Sequence, residues 1–194
     1  MEIHRNTTET LRTFIGVKIE ENQQLTDLVS GLKARLSGKP IKWVSPHNYH
    51  ITLRFLGSTT PEQVSKIYNA INAIVSSHKA FMLTLSGIGN FGRPDAPAVL
   101  WAGVEKNDNL EVLAAVIETL VREVGFPEEL KPFAPHLTLA RPKGNGYADI
   151  VKELENEFSK ISLGKFTISS IFLYKSVHGQ GGPIYLPIFE IPLL

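Results

Sequence analysis

The chain has 194 residues, 43% apolar and 20% charged, with a net charge of +1. This composition fits a globular domain, or two small lobes, with a substantial core, and excludes a disordered or fibrous chain. So small a net charge supplies no global field for nucleic acid, so any RNA contact has to be local.

There is no cysteine, hence no disulfide frame, thiol nucleophile or cysteine metal site. The N-terminus lacks an apolar signal core, and no apolar run approaches the roughly 18 residues of a membrane span. A monomer in the cytoplasm, free of membranes, is expected.

Residues 1–12 are polar and read as a flexible N-terminal extension. Thr13 to Ile19 reads as a first strand. Leu25, Leu28, Val29, Leu32 and Leu36 fall at helical spacing, and Gly38 and Pro40 stop that helix. Ile41 to Val44 is a short strand, and Ser45 to Asn48 a turn, where His47 reads as a surface residue. A first histidine strand starts at His50. Thr60-Pro61-Glu62-Gln63 is a helix start, with Thr60 as cap, Pro61 in the first turn and Gln63 completing a capping box.

Ala80 to Ser86 reads as a strand. Gly87-Ile88-Gly89-Asn90-Phe91-Gly92 then matches the glycine spacing of a dinucleotide site, but Arg93-Pro94-Asp95 cannot open the helix such a site needs. We read this stretch as a loop. A strand over 98–104 and a helix ending at Gly125 follow. A second histidine strand is expected from about Phe133 to Arg141. A helix over 147–159, a long β pattern from Phe166 to Tyr174, a turn at 178–183 and a final strand over 184–189 complete the chain. Pro187 puts that last strand on an edge.

The predicted fold class is α+β, a single bilobal domain over 1–194. Its two pseudo-symmetric lobes, each a mostly antiparallel sheet with outer helices, flank a central cleft.

Two stretches carry the chemistry. His50-Ile51-Thr52-Leu53 and His136-Leu137-Thr138-Leu139 repeat one pattern, His, aliphatic, Thr, Leu. In a strand, residues i and i+2 share a face. Each strand would bury its aliphatics and present an imidazole beside a hydroxyl. Satisfied histidines in half-buried strands are the bland alternative, disfavoured because His and Thr recur together.

Two imidazoles facing one ligand suit acid–base work at a phosphodiester, because a pKa near 6.5 lets one be neutral and one protonated. Thr52 and Thr138 can donate to phosphate oxygens. Arg54 lies two residues past Thr52, on its face under strict alternation. It is a second candidate phosphate ligand, or one half of a surface ion pair. Arg141 lies three past Thr138, and strict alternation turns it away unless the strand ends or bulges near Pro142. In the cleft, its guanidinium would clamp phosphate through a fork of hydrogen bonds.

The paired motifs resemble those of the 2H phosphoesterase superfamily. Phe14-Ile15, Lys42-Trp43-Val44, His50 through Gly57, Gly89 through Gly92, Val99-Leu100-Trp101 and Pro135 through Arg141 resemble its bacterial and archaeal RNA 2′,3′-cyclic phosphodiesterases, once called 2′-5′ RNA ligases. The resemblance implies a two-lobed fold with no metal and no cofactor. It implies RNA or nucleotide ends with a 2′,3′-cyclic phosphate as substrate, and a 2′-phosphate as product.

By the same analogy His136 is the base for water and His50 the acid on the 3′ oxygen, roles that could be exchanged. Thr52, Thr138 and Arg141 bind phosphate. Phe14 and Trp43 could stack on a base or pack in the core. Competing readings are a related 2H enzyme acting on another cyclic phosphate or a 2′-5′ linkage, and a non-catalytic module that binds RNA ends. A metal hydrolase is the least favoured, since two histidines on separate strands lack a third ligand.

Overall fold

The computed structural model describes residues 10–75, 77–93, 95–144, 146–179 and 182–194. Most of the N-terminal extension lies outside them, although Leu11 and Arg12 already belong to the first strand. The elements are β1 (Leu11–Lys18), α1 (Gln23–Arg35), β2 (Ile41–Trp43), a 3-10 turn (Pro46–Asn48), β3 (His50–Thr59), α2 (Pro61–Val75), β4 (Phe81–Arg93) and β5 (Ala96–Val104). Then follow α3 (Asp108–Glu123), β6 (His136–Pro142), α4 (Ala148–Glu157), β7 (Ser162–Ile168), β8 (Ser170–Gly179) and β9 (Gly182–Pro192).

One curled sheet runs β7-β4-β5-β6-β3-β1-β8-β9, with β2 added to β6, and every recorded pairing is antiparallel. The path is a palindrome in kind. Each half holds four strands counted outward from the seam, β6-β5-β4-β7 on one side and β3-β1-β8-β9 on the other. Within each half, two paired strands alternate with two helices, β1-α1-β3-α2 and β5-α3-β6-α4. The helices interleave: α1 packs on β7 of the opposite half and α3 on β3, while α2 lies against β9 and α4 against β4 and β5.

Local chemistry explains the helix starts. Thr60 Oγ1 accepts from the Gln63 N–H at 3.2 Å, and Gln63 Oε1 from the Thr60 N–H at 2.9 Å, a closed capping box. Asn22 caps α1 through Leu25 N at 2.8 Å and donates to Leu163 O of β7 at 2.9 Å, tying the helix to the opposite half. The core lies between helices and sheet. Ile51, Leu53, Leu137 and Leu139 of β3 and β6 are buried there, with Leu32, Ile67, Ile117 and Leu154 from the four helices.

Two expectations change. The glycine stretch 87–92 is not a loop but the second half of β4, paired with β5 as far as Arg93 opposite Ala96. Its glycines serve the strand: Gly87, at φ +69°, sits at a bulge between Ser86 and Ile88, and Gly89 lies so close to the Trp101 ring that a Cβ would stand 2.2 Å from it. The second change is that β6 starts at His136, because Pro132 and Pro135 hold the preceding residues out of the ladder. β9 is an edge strand, as Pro187 requires.

Candidate active site

β3 and β6 meet through one register pair, Ile51 opposite Leu137. In an antiparallel ladder the flanking residues oppose each other in turn, which sets Thr52 across from His136 and His50 across from Thr138. The two motifs therefore interlock as a quartet on one face of the seam. Burial alternates as the pattern demands: Ile51 and Leu137 are fully buried, while His50, Thr52, His136 and Thr138 are half-buried.

Alternation then fails at the same point in both strands. Ile15 pairs with Arg54 but Gly16 with Thr52, which leaves Leu53 as an extra residue in β3. Leu100 pairs with Ala140 but Trp101 with Thr138, which leaves Leu139 as an extra residue in β6. A bulge advances the facing of every later residue by one. Two consecutive buried residues result in each strand, Leu53-Arg54 and Leu139-Ala140. The fifth residue after each histidine, Phe55 and Arg141, is turned outward and exposed.

Arg141 lies close enough to both imidazoles for its charge to disfavour their protonation. Phe55 lies 5.8 Å from the Phe14 ring, which itself packs on His50.

The same bulge sends Arg54 the other way. Its side chain is 8% exposed on the helix side, where Nε meets Glu118 of α3 at 2.5 Å and Nη1 meets Glu129 at 3.3 Å. It also donates to Phe55 O at 2.8 Å and to Pro127 O. Its guanidinium is engaged by Glu118 of α3, by Pro127 and Glu129 of the segment that follows, and by the Phe55 carbonyl of its own strand. This differs from the expected phosphate ligand, and the inserted Leu53 is the reason. Phe14, 2% exposed, is a wall of the site rather than an open platform for a base: its ring lies 4.7 Å from His50 and 5.1 Å from Tyr174. Trp43 is half-buried on β2 with the Lys33 ammonium 5.7 Å from its ring.

Each imidazole is held identically. His50 Nδ1 donates to Asn48 O at 2.6 Å and His136 Nδ1 to Ala134 O at 2.7 Å, in both cases the carbonyl two residues earlier. A carbonyl can only accept, so the Nδ1 proton is fixed and each neutral ring keeps Nε2 as a free acceptor. Aromatic rings back both. His50 has Phe14, Tyr174 at 6.1 Å and Tyr185 at 5.0 Å; His136 has Phe91 at 4.8 Å and Trp101 at 6.3 Å.

Burial in this setting pushes the His50 pKa down to about 4, against the upward pull of the Asn48 carbonyl. The positive charges of His136 and Arg141 contribute to the same lowering. His136 is lowered by burial, pulled up by Ala134 O and lowered again by Arg141. Among the described residues no three His, Cys, Asp or Glu side chains are grouped to hold a metal.

Two openings flank the quartet. A cavity of about 900 Å³ is bordered by Thr52, Phe55, Phe91, Phe133 and His136. A smaller one of about 270 Å³ lies on the side of Arg141, bordered by Lys42, Trp43, Asn48 and Tyr185. His47 is exposed on the 3-10 turn, held by Ser45 at 2.9 Å, as a surface residue should be. Phe55, Phe91, Trp101, Tyr174 and Tyr185 join the site without having been picked out as site residues in the sequence. Phe55, Phe91 and Trp101 lie in stretches that carry the family resemblance, and Phe55 also stands at the same offset from His50 as Arg141 from His136; Tyr174 and Tyr185 carried no such signal.

The sheet path and the paired motifs are those of a two-histidine, or 2H, phosphoesterase. Residues 16–101 and 103–185 match the family described as LigT like Phosphoesterase. The Aeropyrum pernix RNA 2′,3′-cyclic phosphodiesterase is 35% identical over 80% of this chain and 88% of its own length. That of Archaeoglobus fulgidus is 31% identical over 93% of this chain and 100% of its own. Among solved structures, Escherichia coli LigT in complex with 3′-AMP superposes with a TM-score of 0.72 at 22% identity, covering 95% of this chain and 99% of that one. A Thermus thermophilus protein gives 0.75 at 23%, covering 94% and 97%. The chain belongs to the LigT-like phosphoesterase family.

Proposed function

We propose that the protein hydrolyses 2′,3′-cyclic phosphate ends of RNA to 2′-phosphomonoesters, without metal or cofactor, using His50 and His136 as acid and base. The observation that carries this reading is the interlocked quartet, in which two imidazoles with free Nε2 atoms face one cleft, with Arg141 charged beside both. Its curated relatives bear the name of that activity.

In this reading His136 Nε2 takes a proton from water as the water oxygen attacks phosphorus. The bond from phosphorus to the 3′ oxygen breaks, and His50, entering as the imidazolium, gives that oxygen its Nε2 proton. The product has a 3′-hydroxyl and a 2′-phosphate, with the proton now on His136. Transfer of that proton back through solvent restores the pair. Thr52 and Thr138 donate to the nonbridging oxygens, and Arg141 neutralises the charge that grows on them. The exchanged assignment of the histidines is chemically equivalent in so symmetric a cleft.

Burial makes both imidazoles neutral in the empty cleft at neutral pH, so the anionic phosphodiester has to stabilise the imidazolium the acid requires. Phe55 serves as the platform for the terminal base in place of Phe14. The same reading has a monomer at work in the cytoplasm, and an RNA 5′-hydroxyl attacking phosphorus in place of water, with the 3′ oxygen again leaving, would join two ends reversibly through a 2′-5′ linkage at the same groups.

The test is ³¹P NMR of a short RNA with a 2′,3′-cyclic phosphate end, incubated with the protein in EDTA. Conversion to a 2′-phosphate is expected. A 3′-phosphate would reverse which oxygen leaves, and an unchanged cyclic signal with folded protein would sink the reading in favour of another cyclic phosphate or a binding module.

A further inference from the structure

The two openings beside the quartet differ in charge. The larger one is bordered by Glu111, Glu118 and Glu129 against Arg54 and Lys131, and Arg54 is already paired with two of those carboxylates. The smaller one is bordered by Lys42, Arg141 and His47, with no carboxylate among the described residues. Lys42 and Arg141 are direct partners in the β2–β6 ladder, so two cations stand side by side on its rungs. Neither has an ion pair among the described residues. Like charges opposed in a sheet repel, and a charge pair left in this state suits an anion that arrives with the ligand.

The cavity behind them is built rather than incidental. Asn48, 8% exposed, donates to Pro183 O at 2.9 Å and accepts from Tyr185 N at 3.2 Å, which fastens the start of β9 over the 3-10 turn. The carbonyl of the same Asn48 fixes His50. Trp43, Ile184 and Tyr185 supply an apolar lining in a volume of about 270 Å³. The Lys42 ammonium reaches across to Gly182, where a Cβ would stand 2.2 Å from Nζ, so the cation is held at the cavity's edge.

We propose that this cavity is a subsite for the nucleotide on the 5′ side of the cyclic phosphate, with Lys42 pairing the intervening phosphodiester and the penultimate base lodged between Trp43, Ile184 and Tyr185. The proposal rests on the phosphodiesterase reading above and adds a substrate class to it: oligoribonucleotides over cyclic mononucleotides. Arg141 borders both the catalytic quartet and the cavity, so it spans the reacting phosphate and the next one. The chain of the RNA leaves over the basic opening, and the terminal base lies over Phe55 in the other.

The test compares kcat/KM for a nucleoside 2′,3′-cyclic phosphate and for a trinucleotide with the same end, in wild type, Lys42→Met and Lys42→Arg. The trinucleotide should be favoured about tenfold or more in wild type, the scale of one base stack plus one phosphate contact. Lys42→Met should remove most of that advantage with the mononucleotide unchanged, and Lys42→Arg should restore it. Equal kcat/KM for both substrates in wild type would overturn the subsite, as would a Lys42→Met loss that is the same for both or absent for both. Turnover of neither substrate would sink the phosphodiesterase reading, and affinity then decides the subsite. An RNA trinucleotide with a 2′-phosphate end that binds no tighter than the nucleoside 2′-phosphate overturns it, whereas a tenfold gap abolished by Lys42→Met sustains it.

Discussion

His50 couples the site to the stability of the fold, and the coupling can be measured without any substrate. Its pKa is about 4 in the folded chain, through burial against Phe14 and Tyr185, and about 6.5 when unfolded. Above the unfolded value both states hold a neutral ring, and the residue is silent. As pH falls below about 6.5 the unfolded chain gains a proton that the folded chain refuses, so stability drops by ~1.4 kcal/mol per pH unit until about pH 4. The loss totals ~3 kcal/mol, of which ~2.5 kcal/mol falls between about pH 7.5 and about pH 4.5.

Replacing His50 with Gln removes the titration and keeps a donor for Asn48 O. Urea unfolding of both proteins at those two pH values isolates the residue, since every other titrating group is shared. The wild type should lose ~2.5 kcal/mol more than His50→Gln, roughly a 1 M difference in the shift of the midpoint. Equal losses would mean that His50 titrates in the folded chain as it does in water, and the aromatic wall would have no electrostatic consequence.

The kcat/KM profile should be bell-shaped with its maximum on the acid side of about pH 6.5, because both free-enzyme histidines are lowered, and the kcat profile should lie at higher pH, where bound phosphate supports the imidazolium. A profile flat from about pH 5 to about pH 9 would argue against a titrating pair. His50→Ala and His136→Ala should each lower turnover by roughly 10²–10⁴-fold. With sulfur in place of the 3′ bridging oxygen the leaving group needs no proton, so the His50→Ala defect should shrink and the His136→Ala defect persist; the reverse pattern would exchange their roles. Arg54→Met should cost about 2–3 kcal/mol in a chemical melt by leaving Glu118 without its partner, and adding Glu118→Gln should recover part of it; an unchanged midpoint would mean that the Arg54–Glu118 pair adds nothing to stability. Gly89→Ala should displace Trp101 from behind His136, lowering kcat more than it raises KM, and wild-type kinetics would refute that packing role.

The first three residues of each motif were legible because strand alternation is local physics: His and Thr share one face, Ile51 and Leu137 the other. The helices were legible for the same kind of reason, as with the closed box of Thr60 and Gln63. The bulges were not. Leu53-Arg54 and Leu139-Ala140 look like ordinary strand, and what inserts the extra residue is the register of the neighbouring strands β1 and β5. The facing of Arg54 was lost with it, since Glu118 and Glu129 reach it only through the packing of α3 and its following segment. The glycines of β4 looked like a loop because their use, room for Trp101 and a left-handed bulge residue, is set by the next strand, β5.

That shared bulge also explains how a nearly symmetric cleft can handle an asymmetric substrate. Both halves hold His and Thr in the same frame, fix Nδ1 on the carbonyl two residues earlier and back the ring with aromatics from the neighbouring strands. The insertion then brings one further residue of each strand outward, five positions past the histidine. In β3 that residue is Phe55, an exposed ring; in β6 it is Arg141, a cation with Lys42 beside it. The chemistry at phosphorus can use two equivalent imidazoles, but a nucleotide has a base on one side of its phosphate and a charged chain on the other. The difference between Phe55 and Arg141 is what gives the cleft a direction.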